Sequence, residues 1–172
     1  ARKNGYLGAQ YPWESADDGT EQCPDWTIEP DGSCYRCYVA KYEHHVTAAV
    51  MYGAYKYAET TGDTDFLYKE AAEIFVETAR FWASRVLYNE TLKLYEIREV
   101  TGPDEWHEPV NNNVYTNYLV KWCLRFASSL ITEMKDSREK EYRSLCEKLH
   151  FTEKEAETWK EISDKIYIPK KE

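Results

Sequence analysis

Apolar side chains recur at helical spacing through most of the chain after residue 43. The first such run predicts a helix of about five turns that ends at Gly62 and Asp63. Asp63 or Thr64 then caps a second helix. The apolar positions of the first helix are Val46, Ala49, Val50, Gly53, Ala54 and Tyr57, and those of the second are Phe66, Leu67, Ala71, Ile74, Phe75, Thr78, Phe81, Trp82 and Arg85.

Three more helices follow in the second half of the chain. One runs from Tyr115 to about Lys135, and a shorter, highly charged one covers 137–150. Thr152 and Glu155 have the spacing of a capping box, which predicts the start of a last helix that Pro169 closes.

Two parts of the chain break this pattern. Residues 88–97 alternate with a period of two, which predicts a small β-hairpin. Residues 1–42 are rich in Gly, Pro, Asp, Tyr and Trp and show no sustained period, so we expect long ordered loops, which are often functional, with one short helical turn. Residues 43–172 then form helical hairpins, interrupted by a loop at 100–117.

Helical hairpins with long loops at one end predict an all-α fold, specifically part of an (α/α) barrel, since in such folds the loop end carries the ligand. An irregular helical bundle is the alternative.

Charge and cysteine content limit the possible partners. Lys and Arg number 22 against 31 Asp and Glu, and the net charge of -9 disfavours nucleic acid and anionic membranes. With no apolar run near ~20 residues and no signal-peptide core, we expect a cytoplasmic protein. Five cysteines are expected to be reduced. Cys34 and Cys37 with His44 and His45 suggest zinc, but a second ligand pair is missing, so we expect no metal.

The loop 100–117 contains the acidic side chains that are candidates for catalysis. Asp104, Glu105 and Glu108 are candidates for the carboxylic acid that protonates a departing glycosidic oxygen. Trp106 supplies an apolar wall, and desolvation beside such a wall favours the protonated acid. The Asn residues that follow either bind sugar hydroxyls or hold the loop. A solvated turn followed by a helix cap is the alternative interpretation.

Six motifs, in order, resemble the central region of glycoside hydrolase family 65. They are NGYLGAQYPWES (4–15), GTE (19–21), EHHV (43–46), TARFWASR (78–85), GPDEWHE (102–108) and NNNVYTN (111–117). The resemblance implies an (α/α)6 barrel and an inverting phosphorylase that converts an α-linked glucosyl disaccharide and inorganic phosphate to β-glucose 1-phosphate. It implies phosphate as co-substrate, no cofactor, and a homodimer when complete.

The resemblance also implies roles for individual residues. Glu105 is then the general acid, supported by neighbours around it. Trp13 and Glu14 line sugar subsites, and His45 and Thr47 lie where the acceptor sugar is chosen. The supporting neighbours are Asp104, Trp106, His107, Glu108 and Asn113.

Length sets a limit on this interpretation. Six hairpins need on the order of 350 residues, about twice the 172 present. We therefore expect an incomplete barrel that needs the remainder of the same polypeptide or complementary fragments, and no activity from the isolated chain. An inverting α-glucoside hydrolase of the same family and a non-catalytic sugar-binding helical module remain alternatives, and the disaccharide is not determined.

Overall fold

The computed structural model describes residues 1–105 and 109–170. Within them the chain is mostly helical, as predicted, with two small β-hairpins. The helices are α1 (Val39–Tyr42), α2 (His45–Thr61), α3 (Ala72–Arg85), α4 (Val114–Ser137), α5 (Glu139–Leu149) and α6 (Glu153–Lys165). The strands are β1 (Trp26–Ile28), β2 (Cys34–Arg36), β3 (Leu87–Asn89) and β4 (Leu94–Glu96).

The predicted hairpin is confirmed as the antiparallel pair β3 and β4, in which Tyr88 faces Tyr95. The prediction for residues 1–42 was incomplete, because β1 and β2 form a second hairpin there. Its turn contains Gly32 at φ 84°, and Asp31 Oδ1 accepts the Ser33 N–H at 2.8 Å. Strands of three residues are too short for a convincing period of two, and for that reason the pattern did not reveal them. A 3₁₀ turn also covers Arg2–Asn4.

Helix α2 ends where the sequence predicts. Gly62 adopts a left-handed conformation at φ 71°, and its N–H donates to the Ala58 carbonyl at 2.9 Å. Asp63 then opens the next helical segment by accepting the Phe66 N–H at 2.9 Å. A π-helical stretch, Phe66–Ala71, precedes α3, and the helical period does not anticipate it.

Helix α4 organises the core, because it packs against α2, α3, α5 and α6. The apolar faces of these helices meet in one cluster. The bulkiest fully buried side chains are Trp82, Trp159, Phe75, Phe81 and Met51. Because His45 of α2 and Tyr115 of α4 are in ring contact, both helices begin at the same end of the molecule.

The predicted capping box at α6 is confirmed: Glu155 Oε1 accepts the Thr152 N–H at 3.0 Å. The same carboxylate binds Arg80 of α3, with Arg80 Nε 2.7 Å from Glu155 Oε2. A second Arg80 nitrogen donates to the Leu149 carbonyl at 3.0 Å. One arginine therefore ties α3 to the end of α5 and the start of α6.

The N-terminal segment lies directly on α3. The Ala9 N–H donates to the Glu77 carbonyl at 3.0 Å, and the Leu7 N–H donates to Ser84 Oγ at 3.0 Å. Gly8, at φ 65°, makes this possible, because a Cβ atom there would lie 2.1 Å from the Glu77 carbonyl oxygen. This contact fixes the path of the chain towards Trp13.

Replacing Gly8 with Ala should lower the free energy of unfolding by about 2 to 4 kcal/mol, since the new methyl group meets helix backbone that cannot move aside. Chemical denaturation monitored by circular dichroism measures the change.

Gly19→Ala is the matched control. Gly19 has a similar φ of 77°, but no neighbouring atom lies within 4 Å of the position that a Cβ would take. The substitution should cost only about 1 kcal/mol, the strain of a left-handed alanine. Equal losses in the two variants would contradict the close approach at Gly8.

Candidate active site

The loop predicted to carry the chemistry is closed at its base by two valines. The Val100 N–H donates to the Val110 carbonyl at 3.0 Å, and the Val110 N–H donates back to the Val100 carbonyl at 2.8 Å. Next to this bridge, the Thr101 N–H donates to the Tyr42 carbonyl of α1 at 3.0 Å. The loop therefore leaves from a fixed base beside the start of α2.

A tight turn presents Glu105 at the outer side of this loop. The Glu105 N–H donates to the Gly102 carbonyl at 3.1 Å, with Pro103 at the second position of the turn, where its fixed φ fits. Glu105 has φ 56°, an unusual conformation for a residue with a side chain. Its side chain is exposed, and so is that of Asp104. Trp106, His107 and Glu108 lie outside the described residues.

Asn113 locks the loop to α4. Its Oδ1 caps the helix by accepting the Thr116 N–H at 3.1 Å. Its amide nitrogen lies 2.3 Å from where a Cβ of Gly102 would be, so only glycine fits at that position. The start of the turn therefore packs closely against the side chain that caps α4.

The neighbouring asparagines also hold the loop, as one of the two sequence interpretations has it. Asn112 is buried at φ 57°, and its Oδ1 accepts the Ile97 N–H at 3.0 Å and an Asn117 N–H at 3.2 Å. Its Nδ2 donates to Glu96 at 3.0 Å. Asn111 accepts the Glu99 N–H at 3.0 Å. The side-chain oxygens of Asn111 and Asn112 and the side-chain nitrogens of Asn112 and Asn117 therefore bind other parts of the protein.

His45 is the residue at which the predicted site segments meet. Its ring makes edge contacts with Trp13, at 5.9 Å between centroids, and with Tyr115, at 5.7 Å. Trp13 comes from the N-terminal segment, His45 begins α2, and Tyr115 lies in the first turn of α4. The charge of Glu105 also acts on the His45 ring. Residues from three other parts of the chain thus act on the imidazole of His45.

The surroundings of His45 favour its neutral form. Burial lowers its pKa, and a hydrogen bond with the Thr101 backbone and the negative charge of Glu105 only partly oppose this. The buried Glu43 carboxylate lies 3.9 Å from His45 Nε2. A neutral imidazole can both donate and accept hydrogen bonds, which suits a ring that meets hydroxyl groups.

Glu21 holds the Trp13–Glu14 segment, a role that sequence reasoning missed. Glu21 Oε2 accepts the Trp13 N–H at 2.6 Å, and Oε1 accepts the Glu14 and Cys23 N–H groups at 3.0 and 2.9 Å. A carboxylate that binds backbone across a loop leaves no periodic signature. The only available signal was its place in the GTE motif.

Thr47 is fully buried, and its Oγ1 accepts the Tyr11 N–H at 3.0 Å. It therefore anchors the N-terminal segment two residues before Trp13. A direct contact between Thr47 and a sugar stays a prediction, as do the roles of Glu14 and Asp104.

A cavity of about 740 Å³ opens beside this cluster, between the N-terminal segment and α1. Its described lining includes Tyr11, Glu21 and Arg85, but not Trp13, His45 or Glu105. The buried Arg85 donates from Nε to His44 Nδ1 at 3.1 Å and to the carbonyls of Arg98 and Glu99. Arg85 therefore has a packing role, consistent with its place on the apolar face of the predicted second helix.

Burial lowers the pKa of the neighbouring His44 as well. Burial, reinforced by the Arg85 charge, lowers the pKa of His44 to about 4. The imidazole therefore stays neutral and accepts the Arg85 hydrogen bond.

Within residues 1–105 and 109–170, no group of three or more His, Cys, Asp or Glu side chains is arranged to bind a metal ion. All five cysteines are free thiols. In that same part of the chain, none of the helices is both long and apolar enough to cross a membrane.

A mostly helical domain in which loops bring a carboxylate, an imidazole and aromatic rings together is typical of enzymes that act on carbohydrates. Residues 1–172 match the model of the glycosyl hydrolase family 65 central catalytic domain, and the chain belongs to that family.

Its relatives include several phosphorylases. The chain is 48% identical over 169 residues to a kojibiose phosphorylase of Caldanaerobacter subterraneus subsp. tengcongensis, covering 98% of this chain. It is 47% identical to a kojibiose phosphorylase of Halothermothrix orenii and 37% to an α,α-trehalose phosphorylase of Thermoanaerobacter brockii. The chain spans 22% of the length of either kojibiose phosphorylase.

A solved structure of a human-microbiome protein assigned as a kojibiose phosphorylase has the same fold. It superposes with a TM-score of 0.78 at 24% identity, over 96% of this chain and 22% of that one.

His44 should make the stability of the chain depend on pH. Because its pKa is lowered to about 4 from 6.5, the unfolded state binds the proton more readily between these values. This contribution is complete above pH 6.5 and is lost as the pH falls towards 4. The free energy of unfolding should fall by up to about 3 kcal/mol across that window.

His44→Gln provides the comparison, since a glutamine oxygen can still accept from Arg85 but does not titrate. Denaturant titrations of both proteins at several pH values between 7 and 4.5 should give a steeper loss for the unsubstituted chain. Parallel curves would contradict a neutral, buried His44.

Proposed function

We propose that the chain is the central part of the catalytic domain of an inverting phosphorylase that acts on α-linked glucosyl disaccharides. Its helices would form part of an (α/α)6 barrel. The loop end of that barrel would carry the cluster of Trp13, His45, Tyr115 and Glu105. Membership of the family and the phosphorylases among the relatives support this reaction class. The convergence of Trp13, His45, Tyr115 and Glu105 is the observation that carries the proposal.

Glu105 is the general acid in this proposal. The departing glycosidic oxygen needs a proton, and an exposed carboxyl group on a firmly anchored turn can reach it. The Val100–Val110 bridge fixes the base of the loop, and Asn113 fixes the turn. Such anchoring restricts the approach of the acid and so lowers the entropic cost of proton transfer.

The aromatic cluster binds the sugar in this proposal. Indole and phenol rings suit the C–H faces of a pyranose, and the carboxylate of Glu14 suits its hydroxyl groups. Trp13 is half-buried and clamped through its backbone by Glu21, while Tyr115 keeps nearly half of its surface exposed. Both rings are therefore held by the protein and still accessible to a ligand.

Inorganic phosphate is the nucleophile in this proposal, so the protein needs no second catalytic carboxylate. Phosphate attacks the anomeric carbon from the face opposite the leaving sugar and gives β-glucose 1-phosphate. The chain spans about a fifth of its kojibiose phosphorylase relatives, and the phosphate site would come from the remainder of the polypeptide. Kojibiose is the first substrate to test, because relatives of 45 to 48% identity are named for it.

A chimera tests the function. Residues 1–172 would replace the matching segment of the Caldanaerobacter kojibiose phosphorylase. The chimera should release glucose 1-phosphate from kojibiose only when phosphate is present. Maltose, trehalose and nigerose tested in parallel would report the linkage. Release of free glucose at an undiminished rate without phosphate would contradict phosphorolysis and favour an inverting hydrolase.

Within an active chimera, Glu105→Gln should lower kcat for phosphorolysis by about 10²- to 10⁴-fold, the usual contribution of a general acid. Asp104→Asn is the control, since it removes an adjacent exposed carboxylate and should retain more activity. Steady-state assays of glucose 1-phosphate release measure both. Near-normal kcat in Glu105→Gln would exclude Glu105 as the acid.

The isolated 172-residue chain should release no glucose 1-phosphate from the same disaccharides, because it carries the proposed acid without the phosphate site. Phosphate-dependent release of glucose 1-phosphate by the isolated chain would contradict the proposal that the phosphate site lies elsewhere in the polypeptide.

A further inference from the structure

Two cysteines that flank the β1–β2 hairpin, Cys23 and Cys37, face each other at its base. Cys23 Sγ and Cys37 Sγ lie 3.9 Å apart, and both residues are half-buried. The chain between them is the hairpin itself. Of the other thiols, Cys34 is exposed on β2, and Cys123 is buried in the core.

We propose that Cys23 and Cys37 form a thiol–disulfide site that is oxidised by small-molecule disulfides such as oxidised glutathione. This inference does not depend on the proposed function.

The backbone holds the two residues in place for this reaction. The Cys37 N–H donates to the Asp25 carbonyl at 2.8 Å, and the Cys23 N–H donates to Glu21 Oε1 at 2.9 Å. A disulfide has an S–S distance of about 2.05 Å, so the sulfur atoms must approach by roughly 2 Å. Rotation of the side chains on an anchored backbone is the least costly way to achieve this.

The chemistry is ordinary thiol–disulfide exchange. The thiolate of one cysteine of the pair attacks one sulfur of oxidised glutathione, breaks its S–S bond and releases one glutathione thiolate. The sulfur of the other cysteine, after losing its proton to solvent, attacks the protein sulfur of the mixed disulfide and releases the second glutathione. Two protein thiols are oxidised, and one glutathione disulfide is reduced to two thiols.

The proximity of the two sulfur atoms favours the second, intramolecular step of the exchange. Burial raises the pKa of Cys23 to about 11, so its proton must be lost before it can act as a nucleophile.

Oxidation would act on the Trp13–Glu14 segment through Glu21. The Cys23 N–H and the N–H groups of Trp13 and Glu14 share the Glu21 carboxylate. A disulfide that fixes Cys23 also restrains this shared acceptor. The two residues predicted to line the sugar subsites should then become more rigid.

Incubation of the chain with oxidised glutathione tests the site. Thiol titration in denaturant should fall from five to three, and the intact mass should fall by roughly 2 Da for the two hydrogens lost. Peptide mapping should link Cys23 to Cys37. Amide hydrogen exchange at Trp13 and Glu14 should slow by about threefold or more.

Cys37→Ser should abolish the crosslink, and Cys34→Ser, which removes an exposed thiol on the same hairpin, should leave it intact. Five remaining thiols, a stable glutathione adduct on Cys23 or Cys37, or a crosslink through Cys34 would overturn the proposal. A Cys23–Cys37 crosslink without slower exchange would overturn its coupling to Trp13 and Glu14.

Discussion

The buried amide of Asn112 is the interaction on which the arrangement of the site depends. A polar group without water must satisfy its hydrogen bonds inside the protein. The Asn112 side chain does so with Glu96, Ile97 and Asn117. Asn117 continues the network by donating to the Tyr167 carbonyl at 2.6 Å. The end of β4, the start of α4 and the segment after α6 are thereby held by one set of amides.

The residues around this network differ in how far they are exposed to solvent. Val100, Thr101 and Asn112 at the base of the loop are buried, whereas Glu105 at the turn is exposed and adopts a left-handed conformation. A positive φ at a residue with a side chain persists only where neighbouring structure enforces it. The packing of Asn113 against Gly102 is part of that neighbouring structure. A left-handed backbone conformation thus occurs at the residue whose carboxylate the proposed chemistry requires.

Much of this architecture was predictable, because it follows from local rules. The helical period located the helices, Gly62 ended α2, and the capping box opened α6. The hydrogen bonds of Asn111 and Asn112 agree with the interpretation of these asparagines as structural. The β1–β2 hairpin and the Glu21 clamp were not found, because both depend on contacts with few residues and no repeating pattern. Motif resemblance suggested that Trp13, His45 and Glu105 belong to one site, and the fold adds that the His45 ring contacts both Trp13 and Tyr115.

The chain enters and leaves the β1–β2 hairpin at nearly the same point, as the 3.9 Å between Cys23 Sγ and Cys37 Sγ shows. Its apolar side chains Trp26 and Ile28 are mostly exposed. It is therefore a surface hairpin, and its length and sequence can change without moving α1 or the helices behind it. A change in this hairpin would leave the network around Asn112 in place, because none of the residues of that network lies in the hairpin.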